Sequence, residues 1–225
     1  MMISPEGYYD ECLNGKNKEQ IMAIIRGLKQ EIGRLKNTME NPYGVKPIMH
    51  PSEDTRLHWT REYLERAKQA FAEAGGTYTI SKSEEKAAGF DANMNAVSKI
   101  TYSIGGFFGG YRSYVVVLSD VLEAYTEFWE DEEPLSLLDD DNKVPFTKDT
   151  FIAALKELHI GEWRRRYSTK RFGYTVCDGT QWELEIEYTN GHKPVMFDGD
   201  NSYPYNFDKL QILFGIDETE EDEDE

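Results

Sequence analysis

The chain has 225 residues, a formal net charge of -17, 39% hydrophobic residues and 13% aromatics. That aromatic content supplies a real core and excludes a disordered chain, while the acidity opposes general affinity for nucleic acid or anionic membrane. Two cysteines far apart in sequence, Cys12 and Cys177, exclude a disulfide framework and any CxxC chemistry.

The N-terminal run MMISPEGYYDECLNG has no basic stretch followed by an apolar one, so it is not read as a secretory signal. The first unit is helical. Asn17, with Gln20 three residues on, forms a capping-box pattern. Ile21, Ile24, Leu28, Ile32, Leu35 and Met39 then recur at steps of three and four, which makes one apolar stripe. Asn41-Pro42 closes that helix. A second begins near Ser52, with Glu53 and Asp54 in its first turn, and its stripe is Leu57, Leu64, Ala67, Phe71 and Ala74. Gly75-Gly76 ends it. Two striped helices joined by a short loop predict an antiparallel hairpin over residues 1–76.

Beyond it, Ser81, Ser83 and Glu84 start a short helix that should stop near Gly89. The period then changes to two. Ile100, Tyr102 and Ile104 alternate with Thr101 and Ser103, and Tyr114 to Leu118 is a second strand. The glycine cluster at 105–110 lacks a following Lys-Ser or Lys-Thr, so it reads as a hairpin or bulge and not as a phosphate loop. Residues 119–129 fit a helix capped by Ser119 or a strand. Residues 130–143 read as an acidic loop. Thr147 caps a helix carrying Phe151, Leu155 and Leu158, which Gly161 stops.

The last third holds the clearest alternation. Tyr174 and Val176 share one face of a first strand. Asp178-Gly179 marks a turn. Trp182, Leu184, Ile186 and Tyr188 alternate with Gln181, Glu183, Glu185 and Glu187, a strand with one buried and one wet face. Asn190-Gly191 signals a hairpin, and Val195 and Phe197 begin the return. These make a three-stranded antiparallel meander. Asn206 then caps a last helix with Phe207, Leu210, Leu213 and Phe214. The expected class is α+β: the helical hairpin (1–76), then an antiparallel sheet of about five or six strands with two packed helices (77–216). An acidic tail at 217–225, with eight carboxylates in nine residues, should be disordered. Hairpin and sheet are read as one domain or two.

Chemistry is sparse. His50, His58, His159 and His192 stand alone, without metal-ligand spacing. Cys177 would need a base such as His159 or His192 to act as a nucleophile, and a small apolar role suits it better. Glu183, Glu185 and Glu187 lie about 7 Å apart along one strand face and read as a solvated row, not as an acid/base pair. No catalytic residue, cofactor or metal is expected. One feature runs against the composition. Arg164, Arg165, Arg166, Lys170 and Arg171 are interleaved with Trp163, Tyr167 and Phe172, the types found on phosphate-and-stacking surfaces. The bland reading of the same run is internal pairing with the chain's own carboxylates. Trp163, Arg164, Arg165, Arg166, Tyr167, Lys170, Arg171, Glu183, Glu185 and Glu187 form the candidate interaction surface.

The segments IGEWRRRY, DGTQWELEIEY, NGHKP and GDNSYPYNF, with PSEDTRLHWTREYLERAK upstream, resemble an uncharacterised protein family of Gram-positive gut bacteria and their mobile elements. The resemblance covers most of the chain and carries no catalytic residue. It implies an accessory role in a mobile-element context. Together these readings give a non-enzymatic, acidic, cytoplasmic interaction module with a basic protein partner, such as a nucleic-acid-handling host protein. Nucleic-acid binding through Arg164–Arg171 is the alternative. No membrane partner is expected, and the oligomeric state stays open.

Overall fold

The computed structural model describes residues 3–41, 43–44, 50–106, 109–129, 131–138, 144–176 and 178–216. The chain divides into two compact units, Met1–Ile80 and Ser81–Glu225.

The first unit is built on helices α2 (Lys18–Met39) and α3 (Glu53–Glu73), preceded by a short α1 (Pro5–Tyr8) that continues into a π turn at Tyr9–Leu13. The Asn17–Gln20 capping box forms as the sequence suggests, and Ser52 caps α3. Ile21 and Ile25 from the start of α2 meet Leu64, Ala67, Ala70 and Phe71 from the second half of α3. Further along α2, Glu31 reaches Arg56 near the start of α3, so the two helices run antiparallel. The N-terminal segment closes the end of the hairpin. Leu13 joins the core, Tyr8 stacks on Tyr63 at 4.2 Å, and the Tyr63 hydroxyl donates to the Ile3 carbonyl at 2.8 Å.

Glu31 accepts from Arg34 Nε and Nη2, each at 2.7 Å, and from Arg56 Nη2 at 2.9 Å. The Arg34 hydrogen bonds hold its carboxyl below the ordinary 4.5. A lowered folded-state value means stability that is present above the ordinary carboxylate range and lost as the pH falls through the lowered value. Glu31→Gln should therefore cost less than about 1 kcal/mol at neutral pH, the pair being partly exposed. The gap should close on acidification, as read from urea midpoints across a pH series.

The second unit holds a seven-stranded sheet: β1 (Val97–Gly106), β2 (Gly110–Leu118), β3 (Leu122–Phe128), β4 (Asp131–Pro134), β5 (Arg166–Ser168), β6 (Thr180–Tyr188) and β7 (Val195–Asp200). The spatial order is β4-β3-β2-β1-β6-β7-β5, antiparallel throughout except for the β5–β7 pair. Three helices belong to this unit: α4 (Lys82–Asn93), α5 (Lys148–Glu157) and α6 (Phe207–Leu213). One sheet face carries Ile100, Tyr102, Tyr114, Val116, Trp182, Leu184, Ile186 and Phe197, all buried. The helices sit on this face. Phe207 of α6 packs edge-on to Tyr102 at 5.9 Å, Phe90 of α4 meets Phe197 at 6.1 Å, and Phe151 of α5 meets Phe214 at 6.2 Å.

The α+β class with a helical N-terminal part and a largely antiparallel sheet is thus observed. Several local expectations are corrected. Residues 174–176 form no strand, and Tyr174 is exposed, so the meander lacks its first member. The place beside β6 is taken by β1, and β5, drawn from the basic run, pairs with the other side of β7. Within residues 119–129, Leu122–Phe128 form strand β3 and no helix forms. Part of the expected acidic loop pairs with β3 as the exposed edge strand β4. Residues 130 and 139–143, Phe107 and Phe108 within the glycine cluster, Cys177, and the tail 217–225 lie outside the described residues.

Two helix ends also differ. α4 runs four residues past Gly89, to Asn93. α5 stops because His159, not Gly161, takes the left-handed conformation, at φ 50°. Gly161 has a packing role. A side-chain carbon there would press on the Ala87 carbonyl oxygen at 2.9 Å and on Phe90 at 3.2 Å, so only glycine lets this turn lie against α4.

Candidate functional site

The sheet face opposite α4, α5 and α6 is built by the residues that alternate with the core. Antiparallel register aligns their side chains in rows across the strands. One row runs Asp198, Glu183, Ser103, Ser113, Glu127, Glu132, and the next runs Met196, Glu185, Thr101, Val115, Tyr125, Pro134. Glu187, Lys99, Val117 and Glu123 form a third, and Asp200 stands beside Gln181 in a fourth. Eight carboxylates therefore share this face: Glu123, Glu127 and Glu132 on β3–β4, and Glu183, Glu185, Glu187, Asp198 and Asp200 on β6–β7.

The carboxylates form two banks. Between them β1 and β2 offer Thr101, Ser103, Ser113, Val115 and Val117, with Lys99 at one end and Tyr111 at the other, and the Ser103 and Ser113 hydroxyls are hydrogen-bonded at 2.8 Å. Strands in a sheet are spaced by nearly 5 Å, so the banks on β3 and β6 stand about 14 Å apart. Two cations lie among these rows. Lys99 approaches Glu187 at 3.9 Å, and Arg166 approaches Asp198 at 3.4 Å from the neighbouring strand β5. All four side chains are well exposed, and such pairs neutralise little.

The basic run divides between surface and core. Trp163 and Tyr167, expected as stacking rings at the surface, are each 2% exposed. The reason is their partners. Trp163 stands edge-on to Trp182 at 6.3 Å and to Phe197 at 5.8 Å, and its indole N–H donates to Asn206 Oδ1 at 3.0 Å. Tyr167 packs on Trp182 at 5.8 Å, and its hydroxyl accepts the Arg164 N–H at 3.0 Å. Asn206, expected as a helix cap, makes no capping bond. Its amide instead donates to the Leu158 carbonyl at 2.8 Å, so it links Trp163 to the end of α5.

The cations of the run point in different directions. Arg166 joins the acidic face. Arg165 lies over the Phe197 ring at 4.6 Å and donates to the Met196 carbonyl. Arg164, Lys170 and Arg171 are exposed, the last over the Phe172 ring at 4.9 Å. The run is thus a crossing strand, not one continuous basic patch.

Glu183, Glu185 and Glu187 fall on one face as expected. Their counterparts on β3 were missed because residues 119–129 fit helix and strand alike, and Glu132 because residues 130–143 read as a loop. The alternation of Glu123, Tyr125 and Glu127 with Leu122, Ala124, Thr126 and Phe128 was the available signal. Among the described residues no group of three or more His, Cys, Asp or Glu is placed to hold a metal ion, and no helix is long and apolar enough to cross a membrane. Compared with known proteins, the chain matches no family model, no curated protein and no solved structure.

Proposed function

We propose that the protein is a non-enzymatic, cytoplasmic interaction module whose acidic sheet face receives a basic helical segment of a partner protein. The observation that carries this reading is the pair of carboxylate banks flanking a strip whose middle holds Thr101, Ser103, Ser113 and Val115. A helix with side chains is about 10–12 Å across. It fits between banks about 14 Å apart, where lysines and arginines on both of its flanks reach carboxylates. A partner that itself handles nucleic acid carries such segments, which agrees with the accessory, mobile-element role that the sequence resemblance implies. The nucleic-acid alternative is weakened by the burial of Trp163 and Tyr167, which removes the stacking half of its surface.

The test uses a Lys/Arg-rich helical peptide titrated into the full chain across a salt series. Binding should weaken steadily with salt. The triple variant Glu183→Gln, Glu185→Gln, Asp198→Asn should lower affinity about tenfold, since three partly exposed pairs each contribute up to about 1 kcal/mol. The acidic tail is unchanged in that variant, so the difference reads the sheet face alone. Equal affinity in the variant, or no salt-sensitive complex, would count against the proposal. Retention of the wild type on immobilised DNA at low salt would favour the alternative.

A further inference from the structure

On the helix-bearing side of the sheet unit, the far end of the hairpin β6–β7 and helix α4 enclose a cleft of about 290 Å³. Its origin is local. Gly161 brings the turn after α5 close against α4, and Asn190 at the hairpin tip donates to Asn93 at 2.9 Å, so the hairpin loop is tied to the end of the same helix. What stays open between these two contacts is lined by Lys86, Phe90, Arg165, Tyr188, His192 and Phe197, among others.

The chemistry of the lining is opposite to that of the chain. It contains two permanent cations and no carboxylate, in a protein of net charge -17. Among the described residues neither Lys86 nor Arg165 makes an ion pair with a carboxylate. Both are held below their ordinary pKa, first by burial and, for Lys86, also by the charge of Arg165. Two like charges thus line one cleft from its solvent-exposed rim, a situation an anion relieves. The Arg165 guanidinium is fixed in orientation. Its plane lies over Phe197 and one nitrogen donates to the Met196 carbonyl at 3.2 Å, which leaves the rest of the fork for a bidentate acceptor.

Tyr188 supplies the independent observation. Its hydroxyl is enclosed and hydrogen-bonds to none of the described residues. Burial raises its pKa, so it stays a neutral donor. A hydroxyl enclosed without a partner is destabilising, and a small turn of the ring toward the cleft would let it donate to a bound acceptor. The His192 ring lies 5.1 Å from the Tyr188 ring, with Nδ1 at 3.0 Å from the Lys193 carbonyl. A carbonyl oxygen only accepts, so Nδ1 is the donor in that contact. Phe90, Val195 and Phe197 give the cleft an apolar floor.

We infer that this cleft binds a small phosphate monoester with an apolar or aromatic body, held by Lys86 and Arg165, with the Tyr188 hydroxyl donating to the same group. Two cations and a neutral donor match a dianion with several acceptor oxygens better than they match a carboxylate. The floor takes the organic part, and the volume suits a molecule of phenyl phosphate size.

The experiment is an amide chemical-shift titration of the full chain with phenyl phosphate, in parallel with benzoate. Phenyl phosphate should saturate, with shifts confined to α4 and to residues 161–165 and 188–197. Benzoate should bind at least about tenfold more weakly, having one charge fewer. Arg165→Gln and Lys86→Met should each weaken phenyl phosphate about tenfold or more. Both side chains are outside the packed core, so retained melting temperature checks the fold of each variant. The triple sheet-face variant should bind phenyl phosphate as the wild type does, which separates this site from the proposed protein-binding face. No saturation, shifts centred elsewhere, benzoate as tight as phenyl phosphate, or unchanged affinity in both cleft variants would overturn the inference.

Discussion

Trp163→Ala should destabilise the sheet unit by about 3–5 kcal/mol, the usual cost of emptying a buried tryptophan site. Trp163 is among the largest fully buried side chains, with both Trp182 and Phe197 edge-on to it. Neither neighbour can move in to fill the space. Trp182 is held by Phe207 at 4.8 Å and by its own N–H bond to the Ser202 carbonyl, and Phe197 is fixed in the centre of β7. The indole N–H adds a polar term, because Asn206 Oδ1 would lose its donor inside the core.

Trp163→Phe separates the two contributions. It retains most of the ring contact and removes the N–H, so it should cost about 1–3 kcal/mol. Urea unfolding followed by near-ultraviolet circular dichroism reads both. Typical domain stabilities are about 5–15 kcal/mol, so the alanine variant should lose a large share of the total. A melting temperature unchanged to within a degree would return Trp163 to the surface and revive the stacking surface once expected of the run 163–171.

That case shows where the sequence was legible. Period-two alternation over the eight residues from Gln181 to Tyr188 placed β6 and its buried face, because a one-residue slip would turn every side chain over. Capping residues placed the starts of α2, α3, α4 and α5 for an equally local reason: each satisfies its own helix's free N–H groups. The short edge strands were not legible. β5 is three residues long and β4 four, too few to show a period, and their pairing depends on strands far away in sequence. The run 163–171 misled for the same reason. Its arginines dominate the composition, yet Tyr167 and Gly199 are paired across strands and the rings turn inward. Asn206 has the identity of a cap, and only the fold reveals that its amide bridges Trp163 and Leu158. The cleft was illegible as well, since Lys86, Arg165 and Tyr188 meet only after α4, the 161 turn and the hairpin are assembled.

Gly199→Ala should be comparably severe, for the opposite reason. Gly199 is opposite Trp182 on β6 and beside Tyr167 on β5. The Trp182 indole lies across it, and a side-chain carbon at Gly199 would overlap both that indole and the Ser202 carbonyl oxygen that accepts its N–H. One of these obstacles is backbone and cannot rotate away. The other is a ring already confined by Tyr167, Phe207 and Trp163. Overpacking costs about 1–3 kcal/mol, and a broken buried hydrogen bond adds a similar amount. A loss of about 3–5 kcal/mol is therefore expected in urea unfolding. Gly89→Ala provides the internal comparison. Gly89 lies within α4, and a side-chain carbon there meets nothing within 4 Å. Alanine is the better helix former by about 0.8–1.0 kcal/mol, so this substitution should stabilise the unit. The same chemical change should thus carry opposite signs at the two positions. Equal effects would mean that strand propensity, and not the close approach of the Trp182 ring, governs position 199.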